Sequence, residues 1–136
     1  MSREPKLFRV IVPVADIDRA AAFYGSVLGQ PGRRISGGRH YFDCGGVVLA
    51  CYDPRADGDS RDPTPNPEPI YIAVADLDET FRLAGDAGAA LPDVVVPDVG
   101  PLGEIADRPW GERSFYASDP FGNPLCFVAE GTVFGG

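Results

Sequence analysis

Long hydrophobic runs are absent from this sequence. No apolar stretch among its 136 residues approaches the roughly 20 residues that a membrane-spanning helix needs. The N-terminal residues MSREPKLFRV also lack the apolar core of a signal peptide. We therefore expect a cytoplasmic protein with no membrane partner.

Metal-binding and nucleophilic side chains are scarce as well. His40 is the only histidine, and the three cysteines are an odd number without the CxxC spacing of zinc sites. No glycine-rich phosphate loop follows a strand pattern, and no nucleophile–base pair is visible from the spacing. Reduced and mostly buried thiols are expected. The cysteines are Cys44, Cys51 and Cys126.

Positive charge is in deficit. The chain has 12 lysines and arginines against 20 aspartates and glutamates, which gives a net charge of −8. This balance argues against binding to phosphate backbones, so no nucleic-acid partner is expected. The hydrophobic content of 44% is normal for a globular protein, and the length suits one domain with a sizeable core.

Two similar pentapeptides indicate an internal repeat. VADID at residues 14–18 and VADLD at residues 74–78 each follow a short apolar run that is typical of a strand. Asp16 and Asp76 are suited to cap a helix, because their carboxylates can accept backbone N–H bonds in the first turn. Apolar residues then follow at helical spacing. The pattern predicts the same strand–helix junction twice, about 60 residues apart.

Glycines mark the ends of the predicted elements. Gly29 and Gly88 are placed to end the two helices as left-handed residues. Gly45-Gly46 suits the turn of a hairpin formed by residues 39–52. Further strands are predicted at 93–96, 113–118 and 124–129, and the turn residues DPFGN join the last two.

These elements define the expected organisation. Residues 1–136 form a single domain of two modules, the first spanning about 5–53 and the second about 70–130. Between them, residues 54–69 contain five prolines in an acidic, polar context. This composition predicts an exposed linker without regular structure. Neither module can bury its sheet alone, so the two are expected to combine into one unit.

Two segments carry a resemblance to a known family. The run VIVPVADIDRAAAFYGSVLG at residues 10–29 resembles the opening of vicinal oxygen chelate proteins, and RPWGERSFYASDPFGNPLCFVAE at residues 108–130 is similar to their C-terminal strand pair. That superfamily includes glyoxalase I, extradiol dioxygenases, fosfomycin-resistance enzymes and bleomycin-resistance proteins. The resemblance implies an α+β fold in which two βαβββ modules form curved mixed sheets around a cavity. It also implies a homodimer, with the modules paired either within or between chains.

Metal-using members of that family hold ligands on the first and last strands of each module. The first-strand position lies seven residues before the capping aspartate, which here gives Arg9 and Pro69. The last-strand positions correspond to Cys126 and a place near Cys51. Arginine has no lone pair to donate and proline has no side-chain donor, so we expect no metal and no cofactor. The alternative is a Zn²⁺ ion held by the two cysteine thiolates with other ligands.

The cavity is expected to be aromatic and mostly apolar, with one or two cationic groups. Alternation along the strands places Arg9 and Tyr71 inside, and the resemblance adds residues near the mouth or wall. His40 and Phe42 share one face of the hairpin. The predicted ligand-binding residues are Arg9, His40, Phe42, Tyr71, Trp110, Arg113 and Phe115.

Several of these residues have two interpretations. An inward-facing Arg9 needs a partner, because an unpaired buried charge is costly. That partner is either an anionic or carbonyl-bearing group of a ligand, or an acidic residue of the same chain or of a dimer mate. His40 is either a general base or an ordinary strand residue. Trp110 either stacks on a ligand or covers the end of the sheet.

The predicted function is metal-independent binding of a small molecule in an aromatic cavity, similar to the bleomycin-resistance branch. The alternative is a lyase, isomerase or dioxygenase acting on a vicinal oxygen substrate, with an atypical metal site or acid–base chemistry by His40 and Arg9. A third interpretation is a structural or regulatory partner of another enzyme. Fold alone does not decide among them.

Overall fold

Two four-stranded mixed sheets, each with one long helix, make up the chain. A computed structural model describes residues 3–136. The elements in chain order are β1 (Arg9–Pro13), α1 (Ile17–Leu28), β2 (Arg33–Ser36), β3 (Arg39–Cys44), β4 (Val47–Tyr52), β5 (Ile70–Val74), α2 (Leu77–Asp86), β6 (Val95–Val96), β7 (Gly100–Pro101), β8 (Ala106–Asp107), β9 (Arg113–Ser118) and β10 (Pro124–Ala129).

The two sheets have the same topology. The first has the strand order β1-β4-β3-β2 and the second β5-β10-β9-β8, while β6 and β7 form a small separate ribbon. In both sheets the first strand pairs in parallel with the last, and the remaining pairs are antiparallel. The structure therefore confirms the α+β fold and its repeated βαβββ unit.

The capping aspartates start both helices as predicted. The side chain of Asp16 accepts a hydrogen bond from the Arg19 amide at 3.1 Å, and that of Asp76 accepts one from the Glu79 amide at 3.1 Å. Each bond satisfies an amide in the first helical turn that has no partner within the helix. Gly29 follows α1 with a φ of 69°, in the left-handed region that glycine adopts at low cost.

The β-strand predictions are partly confirmed. The hairpin turns at Gly45 and Gly46, and β9 and β10 have the predicted bounds. The expected strand at 93–96 is reduced to the two residues of β6, because Pro92 and Pro97 on either side lack the amide that a ladder needs. Strand β2 was not predicted from its sequence, RRIS, which shows little apolar alternation.

The linker is more firmly attached than its composition predicts. Residues 54–69 contain no helix or strand, as expected. Pro54 is nevertheless buried, and Asn66 connects both modules. Its amide group donates to the Ile11 carbonyl at 3.1 Å, and its backbone N–H donates to the Asn123 side chain at 2.9 Å. Most of residues 54–69 are exposed, as expected, but these contacts fix the linker to both modules.

The core lies between the helix-facing sides of the two sheets. Helices α1 and α2 pack against each other, and buried residues of both modules form one hydrophobic cluster. Tyr24 on α1 also reaches the turn between β9 and β10, where its hydroxyl donates to Asp119 at 2.6 Å. No helix within residues 3–136 is long and apolar enough to cross a membrane.

Candidate functional site

Each sheet has one side that carries the helices and one side that does not. Val12 and its neighbour Cys51 belong to the core cluster, so they lie on the helix side of the first sheet. Side chains alternate along a strand, and Arg9, Ile11 and Ala50 therefore point the other way. We call this opposite side the open face of a sheet.

The first open face is aromatic and cationic. The Arg9 guanidinium lies 5.5 Å from the ring centre of Tyr41 and 5.2 Å from that of Phe8. The Arg39 guanidinium lies 4.2 Å from the ring centre of Tyr52. These distances fit cation–π contacts. Arg9 is exposed, and within residues 3–136 it has no ion pair with a carboxylate.

The second open face holds a cavity of about 420 Å³. Tyr71 and Trp110 line it together with Val128 and with Phe134 near the C-terminus. Glu112 fixes two parts of this wall: its carboxylate accepts a hydrogen bond from the Trp110 indole at 2.8 Å and one from the Phe134 amide at 2.9 Å. Tyr71 and Trp110, both predicted to bind a ligand, line the same cavity.

Beside this cavity lies a polar group of residues on the same open face. Tyr116 packs edge-to-face on Tyr71, with ring centres 6.5 Å apart, and Cys126 is the strand neighbour of both. Burial raises the pKa of the Cys126 thiol, although hydrogen bonds from Ser114 and Tyr116 act in the opposite direction. Burial also raises the pKa of Tyr116. Both groups are therefore protonated at neutral pH.

Arg108 anchors this region, although it is not among the residues predicted from the sequence. Arg108 is 3% exposed and donates five hydrogen bonds, all to uncharged oxygens. Two of them go to the hydroxyl and carbonyl of Ser114, both at 3.0 Å. The other three hydrogen bonds connect the loop that contains β6 and β7 to the second sheet. An arginine followed by proline in a glycine- and proline-rich loop carries no periodicity that would have revealed this role.

Three predicted ligand residues lie on the helix side instead. Phe42 and Phe115 are fully buried in the core cluster. His40 is 8% exposed; its Nδ1 accepts a hydrogen bond from Arg34 at 3.3 Å, and its Nε2 lies 2.9 Å from the Pro31 carbonyl. With both ring nitrogens engaged in the fold, His40 is a strand residue in a structural position. None of the three reaches the open faces.

Arg113 and Cys51 also lie away from the cavity. Arg113 is the first residue of β9, where its half-exposed side chain contacts Asp107 at 3.4 Å. Cys51 faces the core, because the strand register places Ala50, not Cys51, beside Ile11 on the open face. Cys51 and Cys126 thus lie in different sheets, Cys51 on the helix side and Cys126 on the open face. This arrangement argues against a zinc site formed by both thiolates.

The family is decided by comparison with known sequences. Residues 6–127 match the model of the Glyoxalase/Bleomycin resistance protein/Dioxygenase superfamily. The chain belongs to this superfamily. No curated protein sequence matches the chain at a significant level.

Solved structures with the same fold cover nearly the whole chain. A glyoxalase-related enzyme from Fulvimarina pelagi is 18% identical, with a TM-score of 0.70 over 91% of this chain and 87% of its own. A lactoylglutathione lyase from Agrobacterium tumefaciens is 20% identical, with a TM-score of 0.65 over 99% and 100%. The oxidase ChaP-H2 is 27% identical, with a TM-score of 0.69 over 97% and 98%.

The metal positions of the superfamily do not suit a metal in this chain. Arg9 and Pro69 occupy the two first-strand positions, and neither can donate a lone pair from its side chain. Cys126 is on the open face, where Ser114, Tyr116 and Tyr71 are its neighbours and the charges of Arg108 and Glu112 act on it from nearby. Within residues 3–136, no group of three or more His, Cys, Asp or Glu side chains is arranged to hold a metal ion. The donor set therefore does not fit the metal centre of the chelating members.

Proposed function

We propose that this superfamily member binds a small organic molecule at its aromatic open faces without using a metal ion. The observation that carries the proposal is the 420 Å³ cavity of the second open face, walled by Tyr71, Trp110 and Phe134. Its size lies within the range of about 300–1,000 Å³ that small-molecule sites occupy. Flat aromatic walls with a few polar groups nearby favour a planar or apolar ligand.

Arg9 lies on the first open face and is not part of the lining of this cavity. In the proposal it would bind an anionic or carbonyl-bearing group of the ligand where a second copy of the chain brings the two open faces together. The Arg9 guanidinium is held between Phe8 and Tyr41, and no carboxylate of the described chain neutralises it. Such a positioned cation can donate two parallel hydrogen bonds to a carboxylate. The alternative is that Arg9 forms an ion pair with an acidic residue of a dimer mate.

A homodimer is part of the proposal. Apolar side chains are exposed on and beside the open faces: Phe8 at 61%, Ile11 at 39% and Tyr71 at 59%. Exposed apolar groups in this concentration are typical of an interaction surface. A second copy would cover them and complete the wall of a ligand cavity. We also propose a cytoplasmic location, in which the three unpaired cysteines would stay reduced.

Ligand retention and titration test the proposal. Native mass spectrometry of the purified protein should show a bound organic molecule, and 2-naphthoate should change the fluorescence of Trp110, the only tryptophan. Tyr71→Ala and Arg9→Ala should each weaken 2-naphthoate binding about ten-fold, the size of a lost charge-assisted hydrogen bond or aromatic contact. Arg19→Ala, which removes an equal charge from the surface of α1, should not. Equal affinity in all three variants would contradict the proposal.

Elemental analysis tests the metal-independent part separately. Protein purified without chelators should contain no stoichiometric Fe, Mn, Ni or Zn. A stoichiometric metal that is lost in the Cys126→Ala variant would overturn this part of the proposal. It would also restore the enzyme interpretation, because Cys126 is the one superfamily metal position here with a possible donor.

A second candidate function is catalysis, either as a lyase, an isomerase or a dioxygenase. The similarity to the oxidase ChaP-H2, at 27% identity over almost the full length of both chains, favours it. The Tyr116 hydroxyl and the Cys126 thiol on the second open face would be its proton-bearing groups. Oxygen consumption or product formation from the co-purified ligand, abolished in Tyr116→Phe, would support this candidate over simple binding.

A further inference from the structure

A second and larger cavity lies on the other side of β5. This cleft has a volume of about 910 Å³ and opens between the two modules on the helix side of both sheets. β5 separates it from the aromatic cavity, since Tyr71, Ile72 and Ala73 border both. We infer that the cleft is a binding site of its own, for a small hydrophobic cation such as an alkylammonium ion.

The walls of the cleft are apolar. Val10, Val47 and Leu49 of the first sheet form one wall together with the end of α1. Ile72 and Leu83 belong to the wall contributed by β5 and α2. The volume is again that of a small-molecule site, and an apolar chain placed against these side chains would be removed from water.

The charged residues at the cleft are all acidic. Asp43, Asp76, Glu79 and Glu130 border it, and no residue that lines it is lysine or arginine. Asp43 already pairs with Arg33 at 2.9 Å, and Glu79 pairs with Arg82. Within the described residues Asp76 and Glu130 have no such ion pair. One oxygen of Asp76 caps α2 through the Glu79 amide, so Glu130 is the carboxylate more available to a cationic ligand.

Strand pairing brings these two carboxylates to the same end of the cleft. β5 and β10 are parallel and Ala129 is paired with Val74, so Glu130 follows β10 beside the residues that follow β5, which include Asp76. The positive end of the α2 dipole lies here and is equivalent to about half a charge. The two negative charges of the carboxylates exceed this half positive charge, so the local field still favours a cation.

Two adjacent residues allow the cleft to be tested apart from the open faces. Val47 lines the cleft, whereas Val48 is the strand neighbour of Arg9 on the first open face, and both are half-buried. Val47→Trp should fill part of the cleft. Val48→Trp adds the same bulk on the other side of the same strand and serves as the matched control.

Octyltrimethylammonium, used below its micelle concentration, is the probe for calorimetric titration. We expect it to bind at least about ten-fold more tightly than octyl sulfate, a difference of about 1.4 kcal/mol. Val47→Trp should weaken its binding about ten-fold and Val48→Trp should not. Glu130→Gln, a surface change that leaves the core intact, should weaken it about two- to five-fold, as expected for one exposed ion pair. Asp78→Asn, which removes an equal charge outside the cleft, should have no effect.

Two outcomes would overturn the inference. Equal binding of octyl sulfate and octyltrimethylammonium would disprove selection for a cation. Unchanged binding in both Val47→Trp and Glu130→Gln would show that the cation binds elsewhere. Neither outcome bears on the open-face proposal, which is tested with 2-naphthoate. Arg9→Ala distinguishes the two proposals because Arg9 does not line the cleft, whereas Tyr71 borders both cavities.

Discussion

The hydroxyl of Tyr24 donates a hydrogen bond of 2.6 Å to the carboxylate of Asp119, a residue 95 positions further along the chain. Tyr24 is fully buried and Asp119 is 3% exposed. Asp119 also accepts from the amides of Phe121 and Asn123 and from the Asn123 side chain. The Asn123 side chain in turn donates to the Pro13 carbonyl. This network joins the helix of the first module to the β9–β10 turn of the second.

Tyr24→Phe should therefore lower the free energy of unfolding by about 2 kcal/mol, because a buried carboxylate loses a hydrogen-bond donor. Urea unfolding monitored by circular dichroism would measure the change. Tyr52→Phe is the control, since it also removes a phenolic hydroxyl, but from a half-buried contact of 3.3 Å with Asp59. Equal losses in the two variants would contradict the importance given to the Tyr24–Asp119 bond.

Cys51 should make the protein sensitive to alkaline pH. Burial, followed by the charge of Asp119, raises the pKa of this thiol from its ordinary value of 9.0 to about 12. The unfolded chain loses the proton near pH 9 while the folded chain keeps it, so stability is complete below pH 9 and falls as the pH rises toward 12. Relative to Cys51→Ala, the wild-type protein should lose about 1.4 kcal/mol more per pH unit in this range.

Thiol labelling gives an independent measurement of the same burial. In the folded protein near neutral pH, Ellman's reagent should react first with the half-buried Cys44. Cys51 and Cys126, both buried, should react only on unfolding. Fast labelling of Cys51 would contradict its position in the core.

Replacing Arg108 should be costly although the change conserves charge. Lysine has one nitrogen where Arg108 has three, and it cannot reach all the carbonyls that Arg108 connects. Arg108→Lys should lower the free energy of unfolding by about 3 kcal/mol. Amide exchange should also speed up at Tyr116, whose N–H donates to Leu102 in the attached loop.

Arg113→Lys is the matched control for this arginine. Arg113 is half-exposed and contacts Asp107 at 3.4 Å, and such surface pairs contribute little. Its loss should stay within about 0.5 kcal/mol. A similar cost for Arg108→Lys would show that the buried hydrogen bonds of Arg108 add little to the fold.

The two helix caps should contribute equally to the stability of the protein. Asp16→Ala and Asp76→Ala should each destabilise the protein by about 1 kcal/mol, because each removes an acceptor of one first-turn amide. Asp76→Asn should restore most of the loss, since asparagine also caps helices. Asp78→Ala changes a neighbouring first-turn residue that is not the cap and should cost less. Thermal unfolding of the four variants provides the comparison.

Local chemistry made the repeated unit predictable. A capping aspartate, a left-handed glycine and the DPFGN turn act over a few residues, so their effects can be read directly from the sequence. Side-chain alternation along a strand also acts over a few residues, and it groups Arg9 and Tyr71 with the side chains of the open faces. The unpredicted strand β2 and the shortened β6 lie where the sequence has little apolar periodicity or is interrupted by proline.

Alternation shows which residues share a face but not which face the helices cover. His40 and Phe42 were correctly paired with each other, yet both lie in the core, since helix packing decides which side is buried. Cys51 illustrates the same limit, because a difference of one residue in register moves a side chain to the opposite face.

By itself, the sequence determined the repeated strand–helix unit, its caps and turns, and the lack of donor groups at the two first-strand metal positions, Arg9 and Pro69. These properties depend on residue type and short-range spacing. Only the tertiary structure decided that Arg108 is a buried anchor, that Tyr24 meets Asp119, and that an acidic cleft lies on the far side of β5 from the aromatic cavity. Those relationships join residues far apart in the chain, so they depend on how the two modules pack.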